Sequence, residues 1–206
     1  MKIGIIGAGI VGKTLGKLIA KANHQVMISN SRGPQSLFSL PYYFPCEVGS
    51  IDETIDFGEI IILAIPFHAY TSLPKNLSTQ HKIIIDVTNF YKERDGDIYN
   101  IDENNISSSE IIAKHLNSTH IIKTFNAIKM QDLENNSFLP TSSKKIALPI
   151  AGDNQIDKER VIILLNDLGL ETVDVGSLAQ GKRFERGTPI YCILHDKESL
   201  ENYFYK

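Results

Sequence analysis

The sequence predicts an α/β chain built on a Rossmann-like, doubly wound and mostly parallel sheet with a short C-terminal helical extension. Apolar runs recur at residues 1–6, 25–28, 59–65, 82–87 and 121–125, and most are continuous rather than alternating, as strands covered on both faces require. Segments with helical spacing separate them, so successive strands run parallel through crossovers. The first strand ends in Gly7-Ala8-Gly9-Ile10-Val11-Gly12, a G-x-G-x-x-G turn opening into a helix over residues 13–22.

That turn has a chemical reading. Gly7 permits the bend, Gly9 lets a diphosphate reach the backbone, and Gly12 lets the helix pack close to the strand. Exposed amides at the helix start and the positive end of its dipole suit phosphate. Glycines at this spacing are a weak signal alone. Between a strand at residues 1–6 and a second strand at 25–28 they specify a dinucleotide site.

The elements follow in order. Residues 46–48 form a short strand, and Ser50 with Glu53 makes a capping box for a brief helix. The run at 59–65 is a buried strand ended by Pro66, 82–87 is another, and 89–105 is a long polar loop. Ser107 and Glu110 cap a helix reaching Leu116, followed by a strand at 121–125. A helix over 153–170, with Asp153 as its N-cap, leads to a strand at 171–175 and one further helix over 188–205. Residues 1–176 thus form the dinucleotide-binding domain, and residues 177–206 an extension rather than an independent domain.

Composition limits the function. The chain has 206 residues and a formal net charge of −3, with Lys and Arg scattered singly, which argues against nucleic acid or an anionic membrane as partner. No apolar run approaches the ~20 residues that span a bilayer, and a cytoplasmic location is expected. Cys46 and Cys192 lie far apart without metal-ligand spacing and read as ordinary thiols.

After the second strand comes Ser29-Asn30-Ser31-Arg32-Gly33-Pro34. An NAD-selective site places an acidic residue there, to accept hydrogen bonds from the ribose hydroxyls. Asn30, Ser31 and Arg32 supply donors and a planar cation instead, which suit a 2′-phosphate and so favour NADP(H) over a merely solvated loop arginine. Ligands in such sheets lie past the carboxyl ends of the strands. Ala64, Ile65 and Pro66 are therefore expected along the nicotinamide half. Asn89 and Asn126 either hydrogen-bond the ring amide or second substrate, or serve as turn and helix caps. His68 is either a proton carrier near the ring or a partnered structural histidine.

With these residues in view, the chain resembles the NADP oxidoreductases dependent on coenzyme F420, a deazaflavin, and more closely their bacterial dinucleotide-binding relatives. The likeness runs through the glycine turn, residues 29–34, Leu63-Ala64-Ile65-Pro66, Asp86-Val87-Thr88-Asn89, Lys123-Thr124-Phe125-Asn126, Ala151-Gly152-Asp153, Asp174-Val175-Gly176-Ser177-Leu178 and Arg183-Phe184-Glu185. It implies NADP(H) binding, with Ser31 and Arg32 at the 2′-phosphate and Ile65-Pro66 along the nicotinamide half, and a C-terminal segment that helps form a homodimer and the acceptor pocket. The chain departs from the family pattern at Asn126, where the deazaflavin enzymes carry a histidine, and at Asp86-Val87-Thr88-Asn89, which replaces a more apolar loop.

The expected activity is hydride transfer between NADPH and a small-molecule acceptor. Reductases of the pyrroline-carboxylate type add a helical domain of ~100 residues, the size of a whole domain. After Val175 only a tail remains, so an acceptor that takes hydride directly, a flavin or deazaflavin, fits best. No nucleophile set, paired catalytic carboxylates or metal site is visible, and no catalytic residue is assigned. Arg183 and Arg186 read as solvated charges, or else as contacts for an anionic acceptor tail. A non-catalytic NADP(H)-binding redox sensor is the alternative, motivated by the lack of an identifiable proton donor.

Overall fold

A computed structural model describes residues 1–75, 77, 82–97, 106–135 and 143–206. Eight strands form one sheet in the order β3-β2-β1-β4-β5-β6-β7-β8: β1 Lys2–Ile6, β2 Gln25–Ser29, β3 Glu47–Val48, β4 Ile60–Leu63, β5 Ile83–Asp86, β6 Ile121–Lys123, β7 Ala147–Gly152 and β8 Glu171–Asp174. Neighbouring strands are parallel throughout, except that β6 and β7 are antiparallel, with Ile122 opposite Gly152. The expected Rossmann-like, doubly wound class is borne out.

The continuous apolar runs divide between two cores by alternation. Ile60, Ile62, Ile83 and Ile85 enter one core with Leu15 and Ile19 of α1 (Ile10–Lys21). Ile61, Leu63 and Ile84 enter the opposite core with Ile55 of α2 (Ile51–Phe57) and Ile112 and Leu116. Each strand is therefore apolar on both faces, which is why no polar alternation shows in its sequence.

The predicted caps form. Ser50 Oγ accepts from the Glu53 amide while the Glu53 carboxylate accepts from the Ser50 amide. Ser107 and Glu110 repeat the arrangement at the helix Ser108–Leu116.

Three expectations need correction. A short helix, α3 (Lys92–Asp95), interrupts the polar segment after β5; residues 98–105 of that segment lie outside the described residues. The helix Ser108–Leu116 is then α4, and Met130–Asn135 is α5. Asp153 is not the N-cap of α6 (Gln155–Asp167): Asn154 holds that place, accepting from the Asp157 amide, while Asp153 accepts from the Leu178 amide. The last helix, α7 (Lys197–Tyr205), begins only at the Asp196 cap, because the chain turns at Cys192 in the left-handed region (φ 58°). Strand β7 and helix α5 were not anticipated.

The segment after Val175 packs on the edge of the sheet. Phe184, Ile190, Leu200 and Phe204 form a third core with Ala147, Ala151, Val173 and Val175.

Candidate functional site

The strand order turns in opposite directions on the two sides of β1, and the crevice at such a switch opens past the carboxyl ends of β1 and β4. The three glycines there have different jobs. Gly7 has φ 115°, and a Cβ on it would lie 2.2 Å from the Ala64 carbonyl oxygen. A Cβ on Gly12 would lie 1.9 Å from the Gly7 carbonyl oxygen. Packing alone therefore demands both. A Cβ on Gly9 would meet nothing within 4 Å, so its bare face opens on free space.

Gly9 is the N-cap of α1 without a side-chain cap bond, and the first turn carries no acidic residue. The amides of Ile10, Val11 and Gly12 precede the first intrahelical donor, Lys13, which bonds to the Gly9 carbonyl. Three donors and the positive end of a twelve-residue helix thus converge where Gly9 leaves room. Ile10 is 80% exposed, though large and apolar. Ala8 and Val11 are half-buried.

The loop after β2 is braced from within. Asn30 Oδ1 accepts from the Arg32 amide at 2.9 Å, and the Asn30 carboxamide also bonds to Ser36 Oγ. Ser31 and Arg32 are exposed, and the Arg32 guanidinium has no hydrogen bond or ion pair among the described residues. A cation without a counter-charge among the described residues therefore stands on the loop beside the glycine turn, whose Gly7 amide bonds to the Ser29 carbonyl.

Ala64 and Ile65 are half-buried and Pro66 is exposed, and they continue into a 3-10 turn, Phe67–Ser72. His68 in that turn is not isolated. Its Nδ1 lies 2.7 Å from Asp95 Oδ1, and its amide donates to the same oxygen. The Asp95 carboxylate is fully buried and also accepts from the Tyr91 amide and from Arg94 Nε and Nη2. Burial alone would raise its pKa, but the donors from Arg94, Tyr91 and His68 hold it well below the usual carboxylate range.

Asn89 and Asn126 come together. Asn89 Nδ2 donates to the Asn126 carbonyl at 2.8 Å, and Asn126 Nδ2 donates to Asn89 Oδ1 and to the Phe184 carbonyl. Asn126 is buried, and its Oδ1 has no partner among the described residues. Neither side chain caps a helix. They join the loops after β5 and β6 to the C-terminal segment.

A buried ionic network went unread in the sequence. Lys123 Nζ lies 3.3 Å from Asp86 Oδ2, 3.4 Å from Glu185 Oε1, and within hydrogen-bond distance of Ser108 Oγ and the Thr88 carbonyl. Glu185 in turn accepts from the Ser108 amide and hydroxyl. The signal was present: a lysine following Ile121-Ile122 and an aspartate following Ile83-Ile84-Ile85 need partners if those strands are buried.

Arg183 and Arg186 are not simply solvated. Arg183 donates to the Phe204 carbonyl and stacks on that ring, while Arg186 pairs with Glu93 and stacks on Tyr91. Cys46 and Cys192 are free, and burial pushes the Cys46 thiol up to about 11. Among the described residues there is no cluster of metal-ligating side chains and no helix long and apolar enough to cross a membrane.

Comparison with known proteins agrees with this fold. Residues 2–90 match the family "NADP oxidoreductase coenzyme F420-dependent". A hypothetical protein of Sinorhizobium meliloti superposes with a TM-score of 0.80 at 24% identity, covering 96% of both chains. A candidate F420-dependent NADP-reductase of Arthrobacter sp. FB24 gives 0.72 at 19% identity, covering 88% of this chain and 87% of that one. Among curated proteins, a glycerol-3-phosphate dehydrogenase [NAD(P)+] of Aster yellows witches'-broom phytoplasma is 27% identical over 100 residues. That match takes in 43% of this chain and only 30% of the dehydrogenase. Over residues 2–90 the chain is therefore similar to the coenzyme F420-dependent NADP oxidoreductases, the family its motifs resemble.

Proposed function

We propose that this chain is an NADP(H)-dependent oxidoreductase that transfers hydride between NADPH and a flavin-like or deazaflavin acceptor. The observation that carries the reading is the open face of Gly9 beside three helix amides, with Arg32 on the adjoining loop, all without a partner among the described residues. A dianionic diphosphate and a third phosphate match that donor set in charge and number.

In this reading Gly7, Ala8, Gly9, Ile10, Val11 and Gly12 cradle the diphosphate. Asn30 fixes the loop so that Ser31 and Arg32 meet the 2′-phosphate. Ala64, Ile65 and Pro66 border the nicotinamide ribose, and Asn89 holds Asn126 in place. Asn126 Oδ1, a buried acceptor without a partner among the described residues, suits the carboxamide N–H of the ring. NADPH supplies the hydride, and the protein's part is to bind, align the two rings and exclude water. Residues 177–206 are read as an extension of the domain at 1–176, closing the acceptor side and offering a surface to a second copy.

The test mixes protein, NADPH and a panel of free flavins, deazaflavin and ferric chelate, and follows the nicotinamide absorbance. Oxidation with a flavin or deazaflavin supports the reading. Tight NADPH binding with no turnover on any acceptor leaves a redox-sensing protein in its place.

A further inference from the structure

We propose that His68, oriented by Asp95, is the proton donor to the acceptor as hydride leaves the nicotinamide. The inference rests on the NADP(H)-dependent reading above and deepens it. A ring that takes hydride gains two electrons and one hydrogen, and still needs a proton to become the neutral reduced product. An acid beside that ring is therefore part of the chemistry.

Position favours His68. It lies five residues past the end of β4, separated from it by Ala64-Ile65-Pro66-Phe67, and Ala64 is the residue against which the Gly7 turn closes. The same 3-10 turn that begins behind Pro66 carries the imidazole.

Orientation favours it as well. With Asp95 Oδ1 at 2.7 Å, Nδ1 carries its hydrogen toward the carboxylate, and Nε2 is the nitrogen left to exchange a proton. Nε2 has no partner among the described residues, and the ring is half-exposed, open to reprotonation from water. Two charged groups stand behind it: Asp95 directly, and Arg94 through the same carboxylate. Asp95, its side chain buried and hydrogen-bonded to Nδ1, fixes the direction of the ring and is a positioning residue. The neighbouring candidates are committed elsewhere. The Tyr91 hydroxyl bonds to that of Tyr191, Arg186 is held by Glu93, and Lys123 is buried in its network.

The step balances. Hydride passes from NADPH to the acceptor ring, the Nε2–H bond of the imidazolium breaks, and its proton goes to a ring nitrogen of the flavin or deazaflavin. NADP⁺, the reduced acceptor and neutral His68 remain.

The experiment compares wild type with His68→Ala and uses two readouts. In turnover with NADPH and the best acceptor of the panel, His68→Ala is expected to lose tenfold or more in kcat, keep its NADPH affinity within twofold, and recover rate as imidazole is added. In labelling, diethyl pyrocarbonate should modify His68 of the wild type, read by mass spectrometry, and NADP⁺ with the acceptor should protect it. Turnover of His68→Ala within twofold of wild type, or a loss that imidazole does not restore, overturns the proposal. Labelling that ligands leave unchanged does so too. A wild type that fails to bind NADPH brings down the underlying reading instead, and a wild type that binds without turnover leaves His68 no proton to give.

Discussion

Lys123 Nζ and Asp86 Oδ2 lie 3.3 Å apart with neither side chain exposed, on neighbouring strands β6 and β5. Glu185 closes the group from the C-terminal segment, so one buried cation faces two carboxylates and the Ser108 hydroxyl and Thr88 carbonyl that satisfy it. The network ties the segment after Val175 to the carboxyl ends of the central strands. Asn126 and Asn89 lie on the adjoining loops and bond to each other, and Asn126 also donates to the carbonyl of Phe184, the residue before Glu185.

Lys123→Met should therefore unfold the protein more easily than an ordinary core substitution. It leaves Asp86 and Glu185 buried without their cation, at a cost of about 3 to 5 kcal/mol. Adding Glu185→Gln should return part of the loss, because one of the orphaned charges is gone. Urea unfolding followed by circular dichroism measures both, and a Lys123→Met midpoint equal to wild type would contradict the ionic account.

Asp95 gives a pH dependence of definite sign. Its folded pKa is depressed, so its contribution is present above the unfolded value of about 3.9 and is lost as pH falls toward the folded one. The stability difference between wild type and Asp95→Asn should be constant near neutrality and shrink as pH drops below about 4. Chemical unfolding at a series of pH values checks this; a gap that widens in acid would mean the carboxyl is not held ionised by Arg94, Tyr91 and His68.

Sequence legibility divided along physical lines. Strands β1, β4 and β5 were readable because continuous isoleucine runs admit little besides a strand buried on both sides, and the boxes at Ser50 and Ser107 because capping is local chemistry. Strand β7 was missed: its sequence Ala-Leu-Pro-Ile-Ala-Gly contains a proline and small residues, and its pairing with β6 and β8 is decided by tertiary contact. The cap of α6 slipped by one residue, from Asp153 to Asn154, because both are good caps and only the reach to Leu178 separates them. The last helix was drawn too long because Ile190 and Leu194 mimic helical spacing while the backbone reverses at Cys192. In the site, the glycine turn and Arg32 loop were legible as motifs. The His68–Asp95 and Asn89–Asn126 pairs were not, since their partners are 27 and 37 residues apart in sequence.

Cofactor selectivity should depend on Arg32. The guanidinium has no internal partner among the described residues, so Arg32→Ala removes no contact of the fold and should leave Tm unchanged. If it meets the 2′-phosphate, its loss should weaken NADPH by about 1.5 to 3 kcal/mol, the worth of charged hydrogen bonds, and leave NADH almost unaffected. Parallel titrations with the two nucleotides decide it, and equal losses would remove Arg32 from the site.

Gly9 and Gly12 offer a separation of binding from folding within one turn. A methyl at Gly12 would press on the Gly7 carbonyl oxygen at 1.9 Å, backbone against backbone, with no flexible side chain to yield. Gly12→Ala should therefore lower Tm by several degrees, as a cost of about 1 to 3 kcal/mol would. Gly9 meets nothing within 4 Å, and its φ of −76° suits any residue, so Gly9→Val should fold as well as wild type. The same side chain would stand in the space where three helix amides converge. NADPH affinity of Gly9→Val should accordingly fall at least tenfold while its melting curve overlays that of wild type. A Gly9→Val protein that melts normally and binds NADPH normally would show that the diphosphate does not approach this turn.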